Sequence, residues 1–228
     1  MKNVARMIQP IVVVAIAVTM TVLVAAGQAG YRGRPYEDSR YHGGAQKIPG
    51  RVDCAYYDLG GEGVAYHDSD AKNNGSGALN PADGTYLNEF RMHEGVDTSY
   101  TKFHDEIDDS KYDLVQPPKD QLYVGWTVPG EWFRITVQVP KAGVYTGDLL
   151  YTSEQGGTIS LDVNGKGATG PVKIESTRNA ADPIAWRQWH HWNLARGIVR
   201  LRLPAGKNVL TVHIRAEGNM NLAYFDFK

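Results

Sequence analysis

The residues from Trp132 to Val139 alternate strictly, with Phe133, Ile135, Val137 and Val139 on one face and Trp132, Arg134, Thr136 and Gln138 on the other. A period of two is the signature of a strand with one face on a core. The same pattern recurs. Ile159, Leu161 and Val163 alternate ahead of an Asn164-Gly165 turn, and Val199, Leu201 and Leu203 alternate with Arg200 and Arg202. Pro140 to Gly143 and Pro204 to Asn208 read as turns between strands. No stretch carries the period of a long amphipathic helix. Short alternating segments with turns roughly every 8–12 residues predict an all-β chain folded as a β-sandwich.

The first residues read differently. Lys2 and Arg6 precede an apolar run from Ile8 to Ala26, and Ala25-Ala26-Gly27-Gln28-Ala29 offers small residues for cleavage. This predicts a signal peptide over residues 1–29, export to the periplasm or the outside of the cell, and no membrane attachment once the segment is removed. Residues 30–47 are rich in Gly, Arg and Tyr without an apolar period and are expected to form a flexible leader. The folded domain is expected to span 48–228, with short extended pieces at Arg51–Tyr57, Phe90–Thr98 and Trp186–Trp192.

A net charge of −1 argues against nucleic-acid binding driven by phosphate contacts. Cys54 is the single cysteine, so no intramolecular disulfide can form, and it reads as a small buried hydrophobe. An enlarged loop region from about 69 to 122 is Asn-, Gly-, Asp- and Ser-rich and then acidic. Its Asp105, Glu106, Asp108 and Asp109 match no metal-loop spacing and are expected to form a solvated surface. His190 and His191 are adjacent. On a strand they point apart, so they read as exposed or capped side chains and not as a metal pair. Trp126 and Trp132 flank the Pro129-Gly130 turn beside Glu131. Two indoles and a carboxylate at a loop tip fit an aromatic platform with a polar anchor.

Several motifs occur in an order that resembles family 6 carbohydrate-binding modules. They are I-P-G-R-V-D-C-A-Y-Y-D from Ile48, G-G-E-G-V-A-Y-H-D from Gly60, E-G-V-D from Glu94, and V-G-W-T-x-x-G-E-W from Val124. V-P-x-A-G-x-Y from Val139, W-R-Q-W from Trp186, L-P-A-G-x-x-x-L from Leu203 and N-L-x-Y-F-x-F from Asn221 complete the series. The resemblance covers about Ile48 to Lys228. It implies a jelly-roll β-sandwich of two antiparallel sheets that binds a polysaccharide or oligosaccharide without catalysis. Such modules are usually appended to secreted glycoside hydrolases, and this chain is expected to act as a free-standing binding protein or beside separately encoded hydrolases. By motif position it implies that Trp126, Glu131, Trp186 and Asn221 bind the sugar in a cleft at the loop end. Alternation cannot place Trp186, Trp189 and Trp192 on one face, so Trp189 is expected to be structural. The family often carries a structural calcium. Here Ala55 and Ala223 stand where its acid and its Asn or Asp are usual, so that site is expected to be weak or absent, with Asp53 as a remnant. The alternative is a structural or protein-binding sandwich at the cell surface that has lost sugar binding.

Overall fold

The computed structural model describes residues 30–228 apart from His42. The expected signal segment, 1–29, lies outside the described residues. The chain folds as a β-sandwich of two facing sheets. Its strands are β1 Gln46–Lys47, β2 Gly50–Asp53, β3 Tyr66–His67, β4 Thr98–Tyr100, β5 Leu122–Val124, β6 Trp132–Val139 and β7 Gly143–Ser153. They continue with β8 Gly157–Val163, β9 Lys166–Gly167, β10 Val172–Ile174, β11 Asn193–Leu203, β12 Gly206–Ala216 and β13 Met220–Phe227. One sheet runs β1-β6-β12-β8-β10, with β3 on β6 and β9 on β8; the other runs β11-β7-β13-β5-β4, with β2 on β13. The pairing of β1 with β6 is parallel, an exception to the expected antiparallel order.

The alternation seen in the sequence builds the core. Phe133 lies opposite Val212, which lies opposite Leu161, and Ile135, Leu210 and Val163 form the next row. In the facing sheet Leu149 pairs with Phe225 and Tyr151 with Leu222. All of these except the half-buried Val163 are buried in one cluster that both sheets share. Burial of this apolar surface is the main stabilising term. Cys54 is buried within it. Among the described residues no helix is long and apolar enough to cross a membrane.

The strand expected over Arg51–Tyr57 ends at Asp53 in β2 and passes into a 3₁₀ turn at Cys54–Tyr56, and the extended piece expected at Trp186–Trp192 begins as the 3₁₀ turn Ala185–Trp189. Phe90 to Asp97 is turn-rich, and extended pairing begins only at Thr98.

The leader expected at 30–47 is packed on the domain. Arg34 and Leu59 exchange backbone hydrogen bonds of 2.9 and 2.8 Å. Tyr36 is only 7% exposed. Its ring lies 5.6 Å from Tyr56 and 5.5 Å from Phe90, the Arg91 guanidinium sits 4.7 Å over it, and its hydroxyl donates to Asp38 at 2.6 Å. Ala55, Leu122, Tyr86 and Tyr100 complete this second cluster. Aromatic side chains that pack one by one in an irregular segment leave no period to read, so composition alone suggested a linker.

Tyr36→Ala is expected to lower unfolding stability by about 3 kcal/mol, the usual cost of truncating a buried aromatic. A chemical-denaturation midpoint checks it, because truncation of a residue in a free leader would leave the midpoint in place.

Candidate functional site

The loop after β5 places Trp126 at the end of the sandwich with φ of 46°, a left-handed backbone that is unusual for a bulky residue. Its neighbours hold it there. Gly125 donates to the Asp97 carbonyl at 2.9 Å, and Thr127 donates to the Met220 carbonyl at 3.4 Å. The Trp126 amide faces Asn221 Oδ1 at 3.4 Å. A Cβ on residue 125 would stand 2.7 Å from that same oxygen, which explains the glycine before the tryptophan.

Asn221 is fully buried on β13. Its Nδ2 donates to Thr152 Oγ1 at 2.8 Å and lies 3.0 Å from His190 Nδ1. With its oxygen toward an amide, its nitrogen faces His190, so His190 Nδ1 accepts and Nε2 carries the proton. That Nε2 donates to Asp108 Oδ1 at 2.7 Å. Asp108 also accepts from the Trp192 indole at 2.6 Å and from the Lys102 amide at 2.7 Å. Burial alone would raise the Asp108 carboxyl, but the donors from His190, Trp192 and Lys102 outweigh it and hold the group below the usual carboxylate range.

Trp186 and Trp189 stand on the 3₁₀ turn Ala185–Trp189. Between them Arg187 is buried. Its Nε donates to Asp182 Oδ2 at 2.7 Å, its Nη2 to Asp182 Oδ1 at 3.0 Å, and its Nη1 to the Glu106 carbonyl at 2.8 Å. The two-pronged pair fixes the turn and joins it to the enlarged loop region. Trp186 is left 54% exposed.

These elements enclose a cavity of about 650 Å³. Tyr123, Trp126, Trp186, Trp189 and His190 form the sandwich side. The loop region supplies the opposite wall, from Leu79, Asn80 and Pro81 through Tyr100, Lys102 and Ile107. Tyr123 lies 6.5 Å from Trp126 and 6.1 Å from His190, and His190 lies 6.2 Å from Trp186, so rings run continuously across the floor.

Of the residues singled out from the sequence, Trp126 and Trp186 line the cavity, while Glu131 and Asn221 do not. Glu131 is buried and already engaged. Its Oε1 accepts from the Ser69 amide at 3.1 Å and hydroxyl at 2.7 Å, and its Oε2 accepts from the Val128 amide at 2.7 Å. It closes the turn after Trp126 and ties it to the loop region. Asn221 lies under His190 and positions it.

Trp189, expected to be structural, lines the cavity, whereas Trp132 lies on β6 against Arg134, 4.4 Å away, and His67. The two indoles flanking the Pro129-Gly130 turn therefore form no joint platform. Asp108 is buried, not solvated, and both histidines are buried. Burial lowers the His191 imidazole from its usual range, with Asp182 opposing the shift.

Asp53 accepts from Gln121 Nε2 at 2.9 Å, and burial raises its carboxyl. Ala55 and Ala223 are buried and apolar. Among the described residues no three His, Cys, Asp or Glu stand together as a metal site. His190 is the residue that sequence reasoning missed. The only signal was a polar pair inside the aromatic run W-R-Q-W-H-H-W.

Solved structures similar to the chain include a family 43 glycoside hydrolase, an arabinoxylan arabinofuranohydrolase from Bacillus subtilis in complex with cellotetraose. It shares 12% identity at a TM-score of 0.47, over 81% of this chain and 28% of that one. They also include a family 6 carbohydrate-binding module, with 11% identity and a TM-score of 0.45 over 81% of this chain and 96% of that one. A third is a carbohydrate-binding module from Cellvibrio mixtus lichenase 5A in complex with cellotriose, with 17% identity and a TM-score of 0.40 over 59% of this chain and 86% of that one. The chain therefore spans 28% of the length of the arabinofuranohydrolase. No protein-family model and no curated protein matches the chain.

Two outcomes follow from this wiring. Asn221→Leu strands His190 Nδ1 and the Trp126 amide, so stability should fall by about 1–3 kcal/mol, read by denaturation, with a change in tryptophan emission. Beside it, Asp113 accepts from the Trp192 amide at 3.0 Å while its buried Oδ2 has no partner among the described residues. Burial pushes its carboxyl up to about 6. The folded state therefore binds this proton more tightly than the unfolded chain, where an aspartate titrates near about 3.9. Stability present below about pH 4 is lost as pH rises through the folded value. Asp113→Asn should thus gain stability over the parent as pH climbs from about 4 to about 6, with the gap level above that. Denaturation midpoints across that range check it.

Proposed function

We propose that this chain is an exported, non-catalytic carbohydrate-binding protein that holds a polysaccharide chain against the indoles of Trp126, Trp186 and Trp189. The observation that carries this reading is Trp186, an indole 54% exposed yet fixed from behind by the buried Arg187–Asp182 pair. An exposed indole on a turn fixed in this way offers a stacking surface to a partner. A pyranose offers an apolar face of C–H groups that stacks on such a ring, and its hydroxyls find donors and acceptors at the rim. In the lining, Lys102 is half-buried and His104 is exposed, and these are the polar side chains in reach of a ligand. The cavity volume of about 650 Å³ falls within the usual span for small-ligand sites.

Export rests on the leader-like residues 1–29. A protein of this kind works alone or beside separately encoded glycoside hydrolases.

The test is retention of the purified protein on a panel of soluble and insoluble polysaccharides, with Trp126→Ala and Trp186→Ala run alongside. Binding to one class, lost by at least ten-fold in both variants while they melt like the parent, is the expected result. Retention on no glycan, with all three proteins folded, would move the cavity to a protein partner.

A further inference from the structure

The wall that the loop region contributes carries a cation. Lys102 lines the cavity, and its ammonium lies 3.3 Å from Ser99 Oγ and 4.4 Å from the centroid of the Tyr100 ring, both of which line it too. Among the described residues no carboxylate comes within ion-pair distance of that nitrogen, although its backbone amide binds Asp108. Asp108 lies behind the wall and is occupied by His190 and Trp192. His104 is a second basic group in the lining, partly offset by Asp105 at 3.2 Å. Burial pulls the Lys102 ammonium down from the usual lysine range, with Asp108 opposing the shift. A half-buried ammonium with only a hydroxyl and a ring as neighbours is undercompensated.

Resting on the carbohydrate-binding reading above, we infer that the site takes an acidic glycan, with a carboxylate or sulfate of the sugar paired to Lys102 while the ring stacks on the indoles. A charge-assisted hydrogen bond there replaces water that burial has already thinned, and it is stronger than a bond between neutral groups. The preference is local to this cavity. On another side of Trp126 a second depression is lined by Asp70, Asn74 and Asp97, whose carboxylates would repel an acidic unit.

The experiment compares matched pairs by calorimetry. Oligogalacturonate is set against its methyl ester, and a sulfated galactan oligosaccharide against its desulfated form, for the parent, Lys102→Met and Lys102→Arg. The expected result is that one charged member binds about ten-fold or more tightly than its neutral counterpart, weakening with added salt. That ratio should collapse toward one in Lys102→Met and persist in Lys102→Arg. The pair that shows it names the anion. Equal binding of charged and neutral members by the parent overturns the inference and leaves the carbohydrate-binding reading standing. Failure of the parent to bind any member, together with failure on the whole polysaccharide panel, overturns both. Should Lys102→Met not fold, the parent's ratio and its salt dependence still decide.

Discussion

One buried carboxylate holds the site together. Asp108 accepts from the Lys102 amide in the loop region and from His190 and Trp192 beyond the 3₁₀ turn. Through His190 it reaches Asn221 on β13, and through Asn221 the backbone of Trp126. Four stretches far apart in sequence are thereby registered against one another. In a low-dielectric interior such a chain of polar groups is strong when every member is satisfied and costly when one is missing. The rings on the cavity floor keep their spacing because the groups beneath them have no slack.

The ion pair of Arg187 and Asp182 does a related task. It fixes the 3₁₀ turn by two hydrogen bonds and reaches the loop region through the Glu106 carbonyl. The backbone that carries the exposed Trp186 is therefore held in place, which lowers the ordering cost of any contact made to its ring.

The sandwich is legible in the sequence because its strands bury one face each. Phe133, Ile135, Val137 and Val139 alternate in the chain and are all buried in the fold. Trp126 and Trp186 are legible through the motifs that surround them. Glu131 and Asn221 have the residue types that a sugar site uses, but a sequence does not tell an open carboxylate from one already bonded to Ser69 and Val128. Asp108 looks like its acidic neighbours in composition, and only its burial beside His190 distinguishes it. Tyr36 is hidden for a similar reason, since a single ring docking onto Tyr56 and Phe90 makes no pattern.

The cavity's two walls have separate structural origins. The floor is made of residues that also hold the sandwich end in shape, whereas the segment from Leu79 to Ile107 adds only the short β4 to the sheets. The two halves are tied at particular points: Val96 packs in the core that both sheets share, Phe90 and Tyr100 sit in the second cluster, and the Lys102 amide binds Asp108. Change at the exposed tip around Leu79 alters the wall of the cavity while those anchors keep the fold. Descendants of one such sandwich would then diverge in ligand along a single stretch of chain, while the floor changes slowly.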